Sequence, residues 1–112
     1  FQKLKKNKNL QILPPSNSFS KNIYWVVGVI IKNKKIKAKT IMKKLLSYGI
    51  QTRSFFWPMN EQKIFKRLKI FDNSKYPNSK YLSRHGFYLP SYLKLKNKEI
   101  DYICSVVNKI IV

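Results

Sequence analysis

A chain of 112 residues with 44% hydrophobic and 14% aromatic residues carries apolar material for one core and too little length for two, which excludes both a disordered tail and two separate cores within these residues. Its 24 Lys and Arg against four acids give a net charge of +20, and its longest apolar run, nine residues at 23–31, is about half of what a membrane-spanning helix needs. A balance of this kind points first to nucleic acid or an anionic membrane. Only Arg53, Arg67 and Arg84 are arginines, however, and Lys, Asn and Ile, all encoded by A/T-rich codons, make up 44 of the 112 residues. A genome biased towards A and T generates such a surface without selection for a basic ligand. Direct base readout favours Arg, and single-strand binding interleaves cations with exposed aromatics, whereas here Lys is scattered along the whole chain. A basic nucleic-acid-binding module is therefore the competing reading and not the leading one. Cys104 is the only cysteine, so no internal disulfide forms, in line with a reducing, cytoplasmic setting. The chain opens on Phe1 rather than Met and no signal-like apolar stretch follows, so it reads as a piece of something longer.

Residues 1–22 read as a polar lead-in with a short extended piece at 10–13 and a loop at Pro14-Pro15. Residues 23–31, β-branched and aromatic and apolar on both faces, predict a strand buried in mid-sheet, with Gly28 marking a close approach or a bulge. Ala38, Ile41, Met42, Leu45 and Leu46 recur at helical spacing opposite a face of lysines, and Gly49 is placed to stop that helix. Residues 50–57 alternate as a strand, with Ile50, Thr52, Ser54 and Phe56 on one face and Gln51, Arg53, Phe55 and Trp57 on the other; Pro58 ends it. A short helix is expected at 61–69, a turn at 72–74, a helix at 77–84 stopped by Gly86, a short strand at 87–89, and a last helix at 97–111 with Ile100, Ile103, Val107, Ile110 and Ile111 on one stripe. Cys104 lies on the edge of that stripe as a small core filler.

The inventory of chemistry is short. His85 is the only histidine and sits beside Arg84 at a helix end, where a solvated or capping role is the expected one. Three isolated glycines make no phosphate loop, and Glu61, Asp72, Glu99 and Asp101 fall on helix surfaces and a turn, which suggests neither a metal site nor a carboxylate pair. On its own residues the chain is not a self-sufficient enzyme. One stretch stands apart: GIQTRSFFWPMNEQ at 49–62 puts an Arg and two aromatics on one strand face and then a Pro-terminated turn exposing Asn60. An arginine fork at a strand end suits a phosphate or carboxylate. The structural alternative is that Phe55 and Trp57 are core and Arg53 lies over them in a cation–π contact.

That stretch resembles the GIxTRxFFxPxHxQ segment in the C-terminal domain of the DegT/DnrJ/EryC1/StrS family, the pyridoxal-phosphate-dependent aminotransferases of nucleotide-linked keto-sugars. Upstream, KNIYWVVGVIIKN at 21–33 is similar to the family's strand with its Tyr-Trp opening; downstream, KYPNSKYLSRHGFYLPSYLKLKNKEIDYI at 75–103 is similar to YPxSExLSRxGxxLPSxxxLTxEqIdyV. The likeness is collinear over nearly all of residues 10–112, and within the family it is strongest to the perosamine-forming branch. The resemblance implies an α+β fold, a two-layer sandwich in which a small, mainly antiparallel sheet at 23–31, 50–56 and 87–89 is covered by the helices starting near Lys37 and Asn97. It implies residues 1–22 as the linker from a missing N-terminal domain and 23–112 as the C-terminal small domain of a fold-type I enzyme. It further implies an amino transfer from glutamate to a nucleotide-linked 4-keto-6-deoxy sugar in surface polysaccharide biosynthesis. Pyridoxal phosphate would be bound mainly by that missing domain, and the complete enzyme would be a homodimer with neither membrane nor specific nucleic acid as a partner. The fragment then holds no catalytic residue and is expected to be inactive alone, while Arg53, Phe55, Trp57 and Asn60 are the expected substrate-binding residues. Ser18 to Lys21 looks like the neighbourhood of a cofactor lysine, but it falls where the family has a linker. Two departures stand out: Asn60 replaces the family's His, which removes a titratable group, and Lys96 replaces the usual N-cap Thr, which leaves Glu99 without its capping-box partner.

Overall fold

The structure, a computed structural model, describes residues 2–13, 16–71 and 75–112. Four strands form one antiparallel sheet in the order β1-β2-β4-β3, with β1 Leu10–Ile12, β2 Val27–Ile31, β3 Arg53–Ser54 and β4 Gly86–Leu89. Cross-strand pairing sets Leu10 opposite Ile31, Ile12 opposite Val29, and Val29 opposite Phe87. Alternation therefore turns Leu10, Ile12, Val29, Ile31, Phe87 and Leu89 to one face, where they join the hydrophobic core. The helices α2 (Ala38–Ser47) and α5 (Asn97–Ile110) pack against each other and bring Ala38, Ile41 and Leu45, and Ile103, Cys104, Val106 and Val107, into that core. The α+β two-layer architecture is the one the sequence implied, and no helix among the described residues is long and apolar enough to cross a membrane.

The segment read as a lead-in builds part of this unit. Leu4 of the short helix α1 (Gln2–Lys5) and Leu10 of β1 are both buried in the core. Asn7 anchors the corner by donating to the Ile111 carbonyl at 2.9 Å and to Asn108 Oδ1 at 3.1 Å. The mid-sheet strand is shorter than its apolar run: Tyr24 takes φ 51°, a left-handed conformation that breaks the pleat, so Ile23 and Trp25 stay exposed and pairing starts at Val27. The 50–57 strand also contracts, to Arg53–Ser54; Ile50 is buried while Phe56, which alternation places on the same face, is 77% exposed. The 61–69 helix divides into a 3₁₀ turn, Met59–Glu61, and α3, Lys63–Arg67. Helix α4, Pro77–His85, runs directly into β4. The turn expected at 72–74 and the Pro14-Pro15 loop lie outside the described residues.

His85 is a correction. It is buried rather than solvated, its ring tilted against Tyr81 at 4.7 Å, and its Nδ1 donates to the Ile36 carbonyl oxygen at 2.8 Å. Tyr81 in turn donates to the Ile31 carbonyl at 3.0 Å, so the two rings tie α4 to the end of β2 and the loop after it. Glu99 meets the sequence's concern about Lys96 from the other side: its carboxylate accepts the Lys96 backbone N–H at 2.7 Å, so the start of α5 keeps half of a capping box without a hydroxyl at the N-cap.

The opposite sheet face is bare backbone where it meets Phe55. A Cβ on Gly28 would lie 3.1 Å from Phe55 Cζ, and one on Gly86 would strike the Phe55 ring and approach the Leu82 carbonyl oxygen to 2.7 Å. Gly86→Ala is therefore expected to destabilise the fold by about 1–3 kcal/mol, an overpacking penalty. In a Phe55→Ala background the same change should cost less but not vanish, because the Leu82 oxygen remains. Chemical denaturation of the four proteins measures both, and full additivity would show that Phe55 does not occupy the space above Gly86.

Candidate functional site

Strand β3 is only two residues long, and the segment after it is held by side chains. Arg53 pairs across from Tyr88 and Ser54 from Phe87, and the Phe55 N–H donates to the Gly86 carbonyl at 3.3 Å. The Phe55 ring then stacks on Tyr88 with centroids 4.6 Å apart, and Phe56 meets the same Tyr88 edge-on at 6.2 Å. The chain next bends through Trp57 and buried Pro58 into the 3₁₀ turn, where the Glu61 N–H donates to the Pro58 carbonyl at 3.0 Å and the Gln62 side chain donates to the Trp57 carbonyl at 3.4 Å. Asn60 sits half-buried in this turn.

Of the four expected site residues, Phe55 is a packing residue and Arg53, Trp57 and Asn60 lie along one continuous stretch. The cation–π contact that was the structural alternative for Arg53 is not formed. Arg53 is exposed and, among the described residues, its guanidinium makes no hydrogen bond, ion pair or cation–π contact. The arginine over Trp57 is Arg84 of α4, its Cζ 4.8 Å from the ring centroid. Arg84 also donates from Nη2 to Glu61 Oε2 at 2.8 Å, and from Nη1 to Ser83 Oγ at 3.3 Å and the Lys80 carbonyl at 3.4 Å. Strand alternation could find Arg53 but not Arg84, whose partners Glu61 and Trp57 lie 23 and more residues away; the only signal was its place in the Leu-Ser-Arg stretch that carried the resemblance.

Other candidate chemistry is sparse. An open apolar groove of about 830 Å³ lies beside the exposed 23–25 segment, with Tyr92, Leu93 and Cys104 also on its wall and no charged side chain lining it. Burial pushes the Cys104 thiol up, which makes it a poor nucleophile. No group of three metal-ligating side chains occurs among the described residues. Nor do these residues fit pyridoxal phosphate. Lys21 is exposed in a surface loop, and Glu61, Glu99 and Asp101 are engaged by Arg84, the Lys96 N–H and Lys3, leaving no carboxylate among the described residues for a pyridine nitrogen.

The hydrogen bond from Arg84 holds the Glu61 carboxyl below the usual carboxylate range; desolvation opposes it, and the charges of Arg84, Lys80 and Lys66 add to it. A folded value below the unfolded one gives stability that is fully present above the unfolded value and is lost as pH falls through the folded one. Glu61→Gln should therefore lower the melting temperature at pH 7 by a few degrees, and the gap to wild type should close on acidification below about pH 4.3, the unperturbed Glu value. A gap that does not shrink as the pH falls below that value would contradict the ion pair as its cause.

The DegT/DnrJ/EryC1/StrS aminotransferase family matches residues 1–108. The chain is 26% identical over 105 residues to GDP-perosamine synthase of Escherichia coli O157:H7, covering 91% of this chain and 28% of that protein. Among solved structures, the PMP-form of Spr1654 from Streptococcus pneumoniae superposes with a TM-score of 0.84 at 18% identity, over 97% of this chain and 27% of that one. Helicobacter pylori PseC, an aminotransferase involved in the biosynthesis of pseudoaminic acid, superposes with a TM-score of 0.83 at 18% identity, over 98% and 29%. The chain thus spans less than a third of the length of each of these relatives, and none of them supports the nucleic-acid reading. With a family match over 108 of its 112 residues and the same fold as two such structures, the chain belongs to the DegT/DnrJ/EryC1/StrS aminotransferase family.

Proposed function

We propose that this chain is the C-terminal small domain of a pyridoxal-phosphate-dependent enzyme that moves an amino group from glutamate to a nucleotide-linked 4-keto-6-deoxy sugar of the perosamine type. Residues 53–60 would form the edge that faces the substrate. The cofactor would be held by the part of a complete enzyme that has no counterpart here, in a homodimer, and the 112-residue chain alone would be inactive. The exposed 23–25 segment and the apolar groove beside it support a domain that rests on a larger neighbour, because an isolated domain gains nothing from leaving Trp25, Tyr92 and Leu93 in water.

Arg53 carries the substrate reading. Its guanidinium has no partner among the described residues and stands on an edge strand, directly across from a stacked aromatic pair and a few residues before the turn that holds Asn60. Such a planar fork suits the two oxygens of a phosphate or carboxylate, and Asn60 adds an uncharged donor and acceptor for sugar hydroxyls. With Asn where the family motif has His, this position orients substrate and moves no proton.

The test is Arg53→Lys, which keeps the charge and loses the fork. Affinity of the chain for GDP, followed by NMR titration in the millimolar range, should weaken about tenfold while the melting temperature stays within a degree of wild type. Unchanged affinity with a lowered melting temperature would make Arg53 a packing residue.

A further inference from the structure

Arg84 meets three separate segments at once. Its guanidinium lies over Trp57 at 4.8 Å, pairs with Glu61 at 2.8 Å, and stays on its own helix through Ser83 Oγ and the Lys80 carbonyl. Trp57 and Glu61 bracket Asn60, so both ends of the turn that carries Asn60 are fastened to α4 by one side chain. Both members of the ion pair are mostly covered, Arg84 26% and Glu61 18% exposed in their side chains, whereas ordinary surface pairs are screened and contribute little.

The turn has few other anchors. Its backbone bonds are local, Glu61 to Pro58 and Gln62 to Met59, and β3, which feeds it, is two residues long. Trp57 and Met59 are each more than half exposed, so packing holds this stretch only at buried Pro58 between them. Helix α4, by contrast, is fastened by buried His85 to the Ile36 carbonyl and by Tyr81 to the Ile31 carbonyl, and it continues into the central strand β4. Position passes from the sheet through α4 and Arg84 to the turn.

We propose that Arg84 is a positioning residue that fixes Trp57 and Asn60 against α4, as a cation clamped between the Glu61 carboxylate and the Trp57 ring. What the turn is positioned for rests on the substrate reading above; that Arg84 positions it does not. Lys at 84 would keep the ion pair but lose the flat face that lies on the indole, so Arg is the residue this geometry requires.

Backbone ¹⁵N relaxation of the chain tests this directly. In the wild type, amides of residues 59–61 should have order parameters near those of β4, about 0.85. Arg84→Met, which keeps an unbranched chain over Trp57 but no charge, and Glu61→Gln, which removes the carboxylate at a cost of only a few degrees in melting temperature, should each drop the turn below about 0.6 while β4 is unchanged. Arg84→Lys should fall between. A turn as rigid as β4 in both variants, or a loosening shared equally by β4, overturns the proposal. Failure of the wild-type chain to take up GDP would remove the substrate reading and leave the relaxation result to decide the role of Arg84 by itself.

Discussion

Much of this structure depends on a ring lying on bare backbone. Phe55 covers the strand at Gly28 and Gly86 on the sheet face opposite the helices and stacks on Tyr88. Strand β3 has only two paired residues, each hydrogen bond of which is worth a net contribution of about 0.5–1.5 kcal/mol. A half-buried phenyl group contributes about 1 kcal/mol from apolar area and about 0.5–1.5 more from the ring pair. Ring and ladder are therefore of equal weight, and losing either releases the segment that leads to Trp57 and Asn60. Gly86 is required by that close approach, and a Cβ at Gly28 would crowd the ring at 3.1 Å; neither glycine is required by its backbone angles.

Charge is distributed with a matching economy. Against 24 cations the chain has four acids, and each of the three among the described residues supports the fold. Glu61 holds Arg84, Glu99 accepts the Lys96 N–H at the N-cap of α5, and Asp101 pairs with Lys3 at the surface between α5 and α1. The lysines repel one another across the surface, and 0.15 M salt screens most of that beyond about 8 Å. The difference between the two arginines is informative: Arg84 is fully engaged, while Arg53 on the neighbouring strand edge is not.

The parts of the fold legible in the sequence are those set by local periodicity. Ala38, Ile41 and Leu45, and Ile103 and Val107, name the buried faces of α2 and α5, and the run at 27–31 names the central strand. Reading fails where tertiary geometry overrides the pattern. Tyr24 adopts a left-handed backbone that no apolar run announces, so residues 23–26 leave the sheet. His85 looks like a helix-end residue until Ile36, 49 positions away, supplies its carbonyl. The cation–π contact weighed for Arg53 falls to Arg84 for the same reason: alternation shows which residues share a strand face, and nothing local shows which helix will approach it. The resemblance carried by GIQTRSFFWPMNEQ and its flanks reached the family because it compares whole stretches in order, long-range contacts included.

The claim on which the functional account rests is that residues 53–60, with Tyr88 beside them, are the ligand-facing edge of this domain. Titration of the ¹⁵N-labelled chain with GDP at physiological salt tests it most directly. The account predicts saturable shift changes at Arg53, Phe55, Trp57, Asn60 and Tyr88, with the lysine faces of α2 and α5 and the apolar groove by Trp25 unaffected. Shifts spread along the lysine faces and abolished by modest salt, with residues 53–60 silent, would contradict it.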